Sequence, residues 1–226
     1  RGRTYMRAIA IDGPAGAGKS TIARKLASEL GYVYVDTGAL YRAIGYFCLS
    51  RGVDVKDETA VKGLLLGMHV ELIFVDMEQR VFLNNVDVTA KIRSEAVSMA
   101  ASAVSALPAV RAFLLDLQRD IAAHNNVIMD GRDIATVILP DADVKIFLMA
   151  TPEDRALRRY NQLIKKGVSA DYDAVLADLR KRDYDDSHRD IAPLKPAEGS
   201  IVVDTTGNEL EQSIEILTQI VKDNLK

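Results

Sequence analysis

The 226-residue sequence holds one cysteine, three histidines and no tryptophan. A lone Cys48 excludes an internal disulfide and fits a reducing cytosol. It lies in an apolar helical stretch with Ile44 and Phe47 and reads as core packing. His69, His124 and His188 are scattered without metal-ligand spacing, and no G-x-S-x-G elbow occurs. Zinc and serine-hydrolase chemistry therefore lack support. No apolar run approaches the length of about 18 residues that a membrane span needs. Positive charge is not in excess either: 29 Lys and Arg stand against 32 Asp and Glu, a net charge of −3. That balance, with no basic and aromatic-rich strand, argues against nucleic acid as partner. No repeat, signal peptide, heptad or long apolar patch is visible, so a cytoplasmic monomer without membrane attachment is expected. Arg1 to Tyr5 precede Met6 and are expected to be a remnant outside the fold, leaving 6–226 as a single domain.

What is present begins at Gly13. Gly13-Pro14-Ala15-Gly16-Ala17-Gly18-Lys19-Ser20 matches the phosphate-binding loop G-x-x-x-x-G-K-[ST], and Thr21 follows it. The apolar run Ala8–Ile11 ahead of it reads as a buried strand. Ile22, Ala23, Leu26, Ala27 and Leu30 behind it share one helix face that Gly31 terminates. Strand, loop and helix together are the context the motif requires. Backbone N–H groups and the helix dipole cradle phosphate oxygens, Lys19 reaches the β/γ-phosphates, and Ser20 can hold Mg²⁺, partly through water. The sequence therefore implies a bound nucleoside triphosphate.

Short β-rich runs alternate with helical patterns along the chain, which predicts an α/β fold with a doubly wound, five-stranded parallel sheet. The expected strands are 7–12, 32–35, 127–130, 144–149 and 201–204. Polar residues follow each, and ligands in such sheets bind outside the C-terminal strand ends. A helix is expected from Leu40 to Arg51, and helical patterns at 94–104 and from Pro108 onward. Between the first two, runs at 69–75, 79–83 and 86–89, with turns at Asp76-Met77-Glu78 and Asn84-Asn85, predict a small antiparallel β insert at about 64–92. Leu210, Ile214, Leu217 and Val221 predict a C-terminal helix that packs on the core.

Thr151-Pro152-Glu153-Asp154 is a helix start, with Thr as N-cap and Pro at N1. Arg155, Arg158 and Arg159 follow at i, i+3, i+4 spacing and are expected on one face, with Leu157, Tyr160 and Ile164 on another. Gly167 ends this helix and a second begins near Asp171, where Arg182, Asp186 and Arg189 recur at i, i+4, i+7. Phosphoryl transfer needs alignment, Mg²⁺, positive charge and exclusion of water. An arginine-bearing helical lid at about 152–193 meets those needs. Arg155 and Arg159 are the expected catalytic lid arginines and Arg158 an ATP-binding one. The acceptor carries its own anion in this scheme, and Arg42, Arg132 and Arg189 have the planar fork that suits phosphate.

Three further runs carry a resemblance. Asp36-Thr37-Gly38-Ala39-Leu40-Tyr41-Arg42 resembles the D-[ST]-G-x-x-Y-R motif of bacterial cytidylate kinases. Asp130-Gly131-Arg132-Asp133 resembles their D-G-R-D, and Arg189–Leu194 their R-x-x-A-P-L. With the phosphate loop these runs span nearly the whole chain in order. The resemblance implies transfer of the ATP γ-phosphoryl to CMP or dCMP with Mg²⁺. It implies that Arg42, Arg132 and Arg189 hold the CMP phosphate, with Arg132 also catalytic. It further implies that Thr37 assists near ribose and phosphate, that Arg182 and Asp186 contact the sugar, and that Tyr41 shapes the pocket. Ser102, Arg111 and either Asp130 or Asp133 would read the base. A carboxylate accepts from cytosine N4 and an arginine donates to its acceptors, whereas uracil O4 would face the carboxylate acceptor to acceptor. Ser102 also reads as packing, Arg111 as a solvent-facing residue, and Asp130 as a group that orients water on Mg²⁺ or caps Arg132. Another small-molecule kinase or a P-loop switch remains as an alternative; the separate insert and the arginine face fit a second substrate better.

Overall fold

In chain order the elements are β1 (Ala8–Asp12), α1 (Lys19–Leu30), β2 (Val33–Asp36), α2 (Gly38–Ser50), α3 (Glu58–Leu65), β3 (Val70–Val75), β4 (Glu78–Leu83), β5 (Val86–Asp87), α4 (Glu95–Val104), α5 (Pro108–His124), β6 (Val127–Gly131), β7 (Val144–Met149), α6 (Pro152–Lys165), α7 (Tyr172–His188), β8 (Ile201–Asp204) and α8 (Leu210–Asn224). This computed structural model describes residues 6–76 and 78–225. The expected remnant at 1–5 and the centre of the expected turn, Met77, lie outside the described residues.

Strand periodicity builds the main sheet. Ile9, Ile11, Ile128, Ile146 and Leu148 face one side, where they pack with Ile22 and Leu26 of α1 and Leu217 and Val221 of α8. Ala10, Val35, Val127 and Met129 face the other, against Leu40 and Ile44 of α2, Val104 of α4 and Leu114 of α5. Both faces being covered, the strands read as continuous apolar runs. Each fully buried isoleucine contributes about 1.5–3 kcal/mol. The order is β2-β6-β1-β7-β8, with every pair parallel. All five strands therefore deliver their C-terminal ends to one edge.

β3, β4 and β5 form a separate antiparallel sheet. Asn84 and Asn85, both at positive φ, make the two-residue turn between β4 and β5. Val70, Leu72, Val81 and Leu83 tuck this sheet into the core beneath α2. α4 lies so close to α2 that a Cβ on Gly45 would sit 2.9 Å from the Ala101 nitrogen.

Helix ends follow their local chemistry. Gly31 closes α1 at φ 67, its N–H on the Ala27 carbonyl. Thr151, Ser94 and Asp171 accept from main-chain N–H groups at the starts of α6, α4 and α7. Other expectations need correction. α2 begins at Gly38, and α3 was not anticipated. Leu210, expected on the core-packing face of α8, is 42 % exposed because it sits in the first turn of α8 at the open edge of the sheet. α7 ends at His188, so Arg189 leaves the helix in extended backbone. Cys48 is fully buried. Among the described residues no single helix is long and apolar enough to cross a membrane.

Candidate active site

A cavity of about 810 Å³ opens at the edge where the parallel strands end. Ala15 to Thr21 form one wall. The loop leaves β1 through Gly13 at φ 152, where a Cβ would lie 2.0 Å from the Leu148 carbonyl oxygen, so only glycine fits. Gly13 and Pro14 sit at the base of the loop. Lys19 is buried, and its ammonium donates to the Pro14 carbonyl at 2.7 Å. Burial first, then nearby Arg132, push the Lys19 pKa down.

Asp130 belongs to this wall. Its carboxylate accepts from Ser20 Oγ at 2.7 Å and from Tyr34 Oη at 3.0 Å. Burial, then Asp36, push its pKa up. Ser20 and Asp130 thus bring hard oxygen donors together at the N-terminus of α1. Mg²⁺ keeps several waters and substrate oxygens and needs only one or two protein ligands. Ser20, with Asp130 directly or through water, fits that demand. Asp12, the last residue of β1, accepts from the N–H groups of Ile134 and Ala135 at 2.8 Å each. This clamps the 130–133 run to the strand that feeds the phosphate loop. Burial pushes the Asp12 carboxyl up to about 6.

The opposite wall is built on α2, α4, α5, α7 and the end of β6. Arg111 is buried and ion-paired with Asp133; it also donates to the Ser105 carbonyl at 2.8 Å. Its guanidinium lies 5.6 Å from the centre of the Tyr41 ring, whose hydroxyl burial pushes up to about 12. Thr37 Oγ1 donates to the Asp130 carbonyl at 2.8 Å. Arg42 pairs with Asp36 at 2.6 Å. The main-chain N–H and C=O of Asp36 are both held by the Gln79 side-chain amide, at 2.9 and 3.2 Å, which ties β4 to the rim. Arg132 donates to Asp186 at 2.8 Å, and Arg189 lies 3.8 Å from the other oxygen of that carboxylate. Ser102 lines the cavity. Arg182 reaches Glu95. Two buried guanidinium nitrogens, Arg182 Nε and Arg189 Nη2, have no hydrogen-bond partner among the described residues, and both side chains line the cavity. A buried unpaired N–H is costly, so this wall is arranged for an anion.

The three arginines expected together on α6 separate. Arg158 and Arg159 line the cavity; Arg158 pairs with Asp154 at 2.6 Å and Arg159 bonds Gln162 at 2.8 Å. Arg155 does not line the cavity. A helical side chain leans toward the N-terminus of its helix, so from the first turn of α6 Arg155 runs down to the Ala150 and Ala15 carbonyls. Residues that sequence reasoning passed over are Asp12, Tyr34, Gln79, Glu95, Ser105 and Asp183. Of these only Asp12, directly ahead of the loop motif, left a local signal.

A parallel sheet ending in a phosphate loop, with an arginine-rich wall facing it across the same cavity, defines a P-loop phosphotransferase that takes a nucleotide donor and an anionic acceptor. The family model described as Cytidylate kinase matches residues 9–223, and the chain belongs to that family. It is therefore an enzyme, a nucleoside monophosphate kinase. A cytidylate kinase from Carboxydothermus hydrogenoformans is 48% identical over 213 residues, covering 94% of this chain and 96% of that protein. One from Leuconostoc mesenteroides subsp. mesenteroides is 47% identical over 217 residues, covering 96% and 97%. A solved structure of an uncharacterized protein from Eubacterium ventriosum superposes with TM-score 0.51 at 11% identity, over 96% of this chain and 99% of that one, a likeness of fold alone.

Proposed function

We propose that the protein transfers the γ-phosphoryl group of ATP to CMP or dCMP, giving CDP or dCDP and ADP, as a cytoplasmic monomer. The reading rests above all on one arrangement: the buried Arg111–Asp133 pair and the unpaired nitrogens of Arg182 and Arg189 share a cavity with the phosphate loop.

An oxygen of the acceptor phosphate attacks the γ-phosphorus in line, a new P–O bond forms, and the bond to the β-phosphate bridging oxygen breaks, releasing ADP. The attacking oxygen is already anionic, so no general base is needed. Catalysis then consists of positioning and charge. Lys19 and the loop N–H groups hold the β/γ-phosphates, and Arg158 and Arg159 cover them from α6. Arg42, Arg132 and Arg189 hold the acceptor phosphate, and Arg132 is close enough to Lys19 for its charge to push the Lys19 pKa down. Ser20, with Asp130 directly or through water, would hold Mg²⁺, which would neutralise charge on the phosphates. Thr37 and Arg182 with Asp186 fix the sugar side.

The base falls to Arg111, Asp133 and Ser102, with Tyr41 stacked beside them. Asp130 is less suited, because both its oxygens already serve Ser20 and Tyr34. Asp133 accepts from cytosine N4, and Arg111 donates to the ring acceptors. Uracil would leave a buried carboxylate against a carbonyl, a mismatch worth orders of magnitude.

A coupled ADP-release assay with ATP and Mg²⁺, offering CMP, dCMP, UMP, AMP and GMP in parallel, tests this. Turnover with CMP and dCMP at least about a hundredfold above UMP is expected. Equal use of UMP overturns the base assignment, and no turnover with any acceptor overturns the reaction.

A further inference from the structure

We propose that Arg155 is a positioning residue which, held by Asp183, sets the phosphate loop against the α6–α7 hairpin, and that it does not touch the transferring phosphate. Arg155 is 2 % exposed. Its Nε donates to the Ala150 carbonyl at 2.9 Å and its Nη1 to the Ala15 carbonyl at 2.8 Å. Nη1 and Nη2 grip the two Asp183 oxygens at 3.0 and 2.5 Å. Four of its five N–H groups are thereby used inside the protein, which leaves little for a ligand. Arg158 and Arg159, one turn on, line the cavity instead.

The phosphate loop is also packed into the hairpin. Ala15 belongs to a small core of its own with Ala156 of α6 and Leu179 of α7. A Cβ on Gly16 would lie 3.5 Å from Arg155 Cβ and 3.6 Å from Leu179 Cδ2, so the backbone there lies against both helices. The peptide unit is planar and trans, so its C=O and N–H point opposite ways. With the Ala15 carbonyl turned toward Arg155, the Gly16 N–H points away from it, and Gly16 lines the cavity. The arginine thus orients a phosphate-facing donor by holding the oxygen on its other side. Asp183 is indispensable to this, because without it Arg155 carries an uncompensated buried charge.

The kinetic part of the test rests on the phosphoryl-transfer reading; the binding part does not. Arg155→Lys, Asp183→Asn and the double variant are compared with the parent for CMP-dependent ADP release, for affinity toward a non-hydrolysable ATP analogue, and for melting temperature. Lysine keeps the charge but loses the fork. Each single variant is expected to weaken the analogue and raise the KM for ATP by about tenfold or more, with the KM for CMP within about twofold. The double variant is expected to be no worse than the worse single, the mark of residues acting as a unit. Asp183 is a quarter exposed, so Asp183→Asn carries the test if Arg155→Lys does not fold. Unchanged analogue affinity in folded variants overturns the proposal and leaves a purely structural pair. A kcat loss of about a hundredfold in Arg155→Lys alone, with Asp183→Asn unaffected, overturns it in favour of direct contact with the phosphate. If the parent itself fails to use CMP, the reaction reading falls while the analogue titration still decides this one.

Discussion

Arg155 in α6 and Arg189 just past the end of α7 both shield their side chains from solvent, and they stand in opposite conditions before any ligand arrives. Arg155 has spent its donors on two main-chain carbonyls and a carboxylate. Arg189 holds the Ala192 carbonyl at 2.7 Å and Ser105 Oγ at 3.2 Å, but its Nη2 is buried with no hydrogen-bond partner among the described residues. Burial and the neighbouring Arg111 push the Arg189 pKa down, so the protein holds it as a cation at a cost. The difference separates scaffold from receptor: a saturated charge fixes the chain, and an unsaturated one waits for charge from outside.

Lys19 falls on the receptor side and offers the largest test. Its ammonium has one carbonyl and a depressed pKa, a state that bound phosphates reverse. Lys19→Ala is expected to lower kcat by about a thousandfold or more while the variant melts cooperatively. Near-normal turnover in a folded variant would place Lys19 with the scaffold and dissolve the distinction. Arg189→Met comes next. The CMP requirement is expected to rise about a hundredfold, with ATP affinity little changed and stability within about 1 kcal/mol, because losing a desolvated cation with one unpartnered nitrogen offsets the two hydrogen bonds that go with it. Unchanged CMP affinity sinks the acceptor-phosphate role. A large stability loss would show that Arg189 is structural after all, like Arg155.

The scaffold and the receptor were not equally legible in the sequence. Features set by neighbours within a turn were readable: the phosphate loop, the Thr151 cap, the glycine at position 31, and the five parallel strands, bounded to within a residue at either end, whereas the run expected at 86–89 is a strand only over Val86–Asp87. That Arg42, Arg132 and Arg189 converge on one cavity was readable as well, because each sits in a short motif near a strand end or the end of α7. What stayed hidden is what spans distance. Asp36 and Gln79 are 43 positions apart, Arg182 and Glu95 87, Arg155 and Ala15 140. Helical spacing grouped Arg155 with Arg158 and Arg159, since periodicity reports the face of a residue and not its level along the helix. The tilt of the first-turn side chain toward the loop decided the outcome.

Asp12 is the scaffold's counterpart to those receptor cations, and the smallest effect tests it. Its two main-chain hydrogen bonds favour the ionised carboxylate, but burial outweighs them and lifts the pKa from 3.8 to about 6. A carboxyl whose folded pKa lies above its unfolded value binds its proton more tightly when folded. Its contribution to stability therefore falls as pH rises from about 4 to about 6 and is level above that. Asp12→Asn removes this slope. In urea titrations across that window, the stability difference between parent and variant is expected to shift by about 2 kcal/mol, the parent losing ground as pH rises. The amide also presents an N–H₂ to a main-chain N–H where the carboxylate offered a second acceptor. One of the two clamps on Ile134 and Ala135 is then lost. CMP-dependent turnover should drop several-fold through the loosened 130–133 run, while affinity for ATP holds. A pH-independent difference between the two proteins would mean that Asp12 is not a buried ionisable clamp. The coupling between phosphate loop and acceptor pocket would then have to run through Ser20 and Asp130 alone.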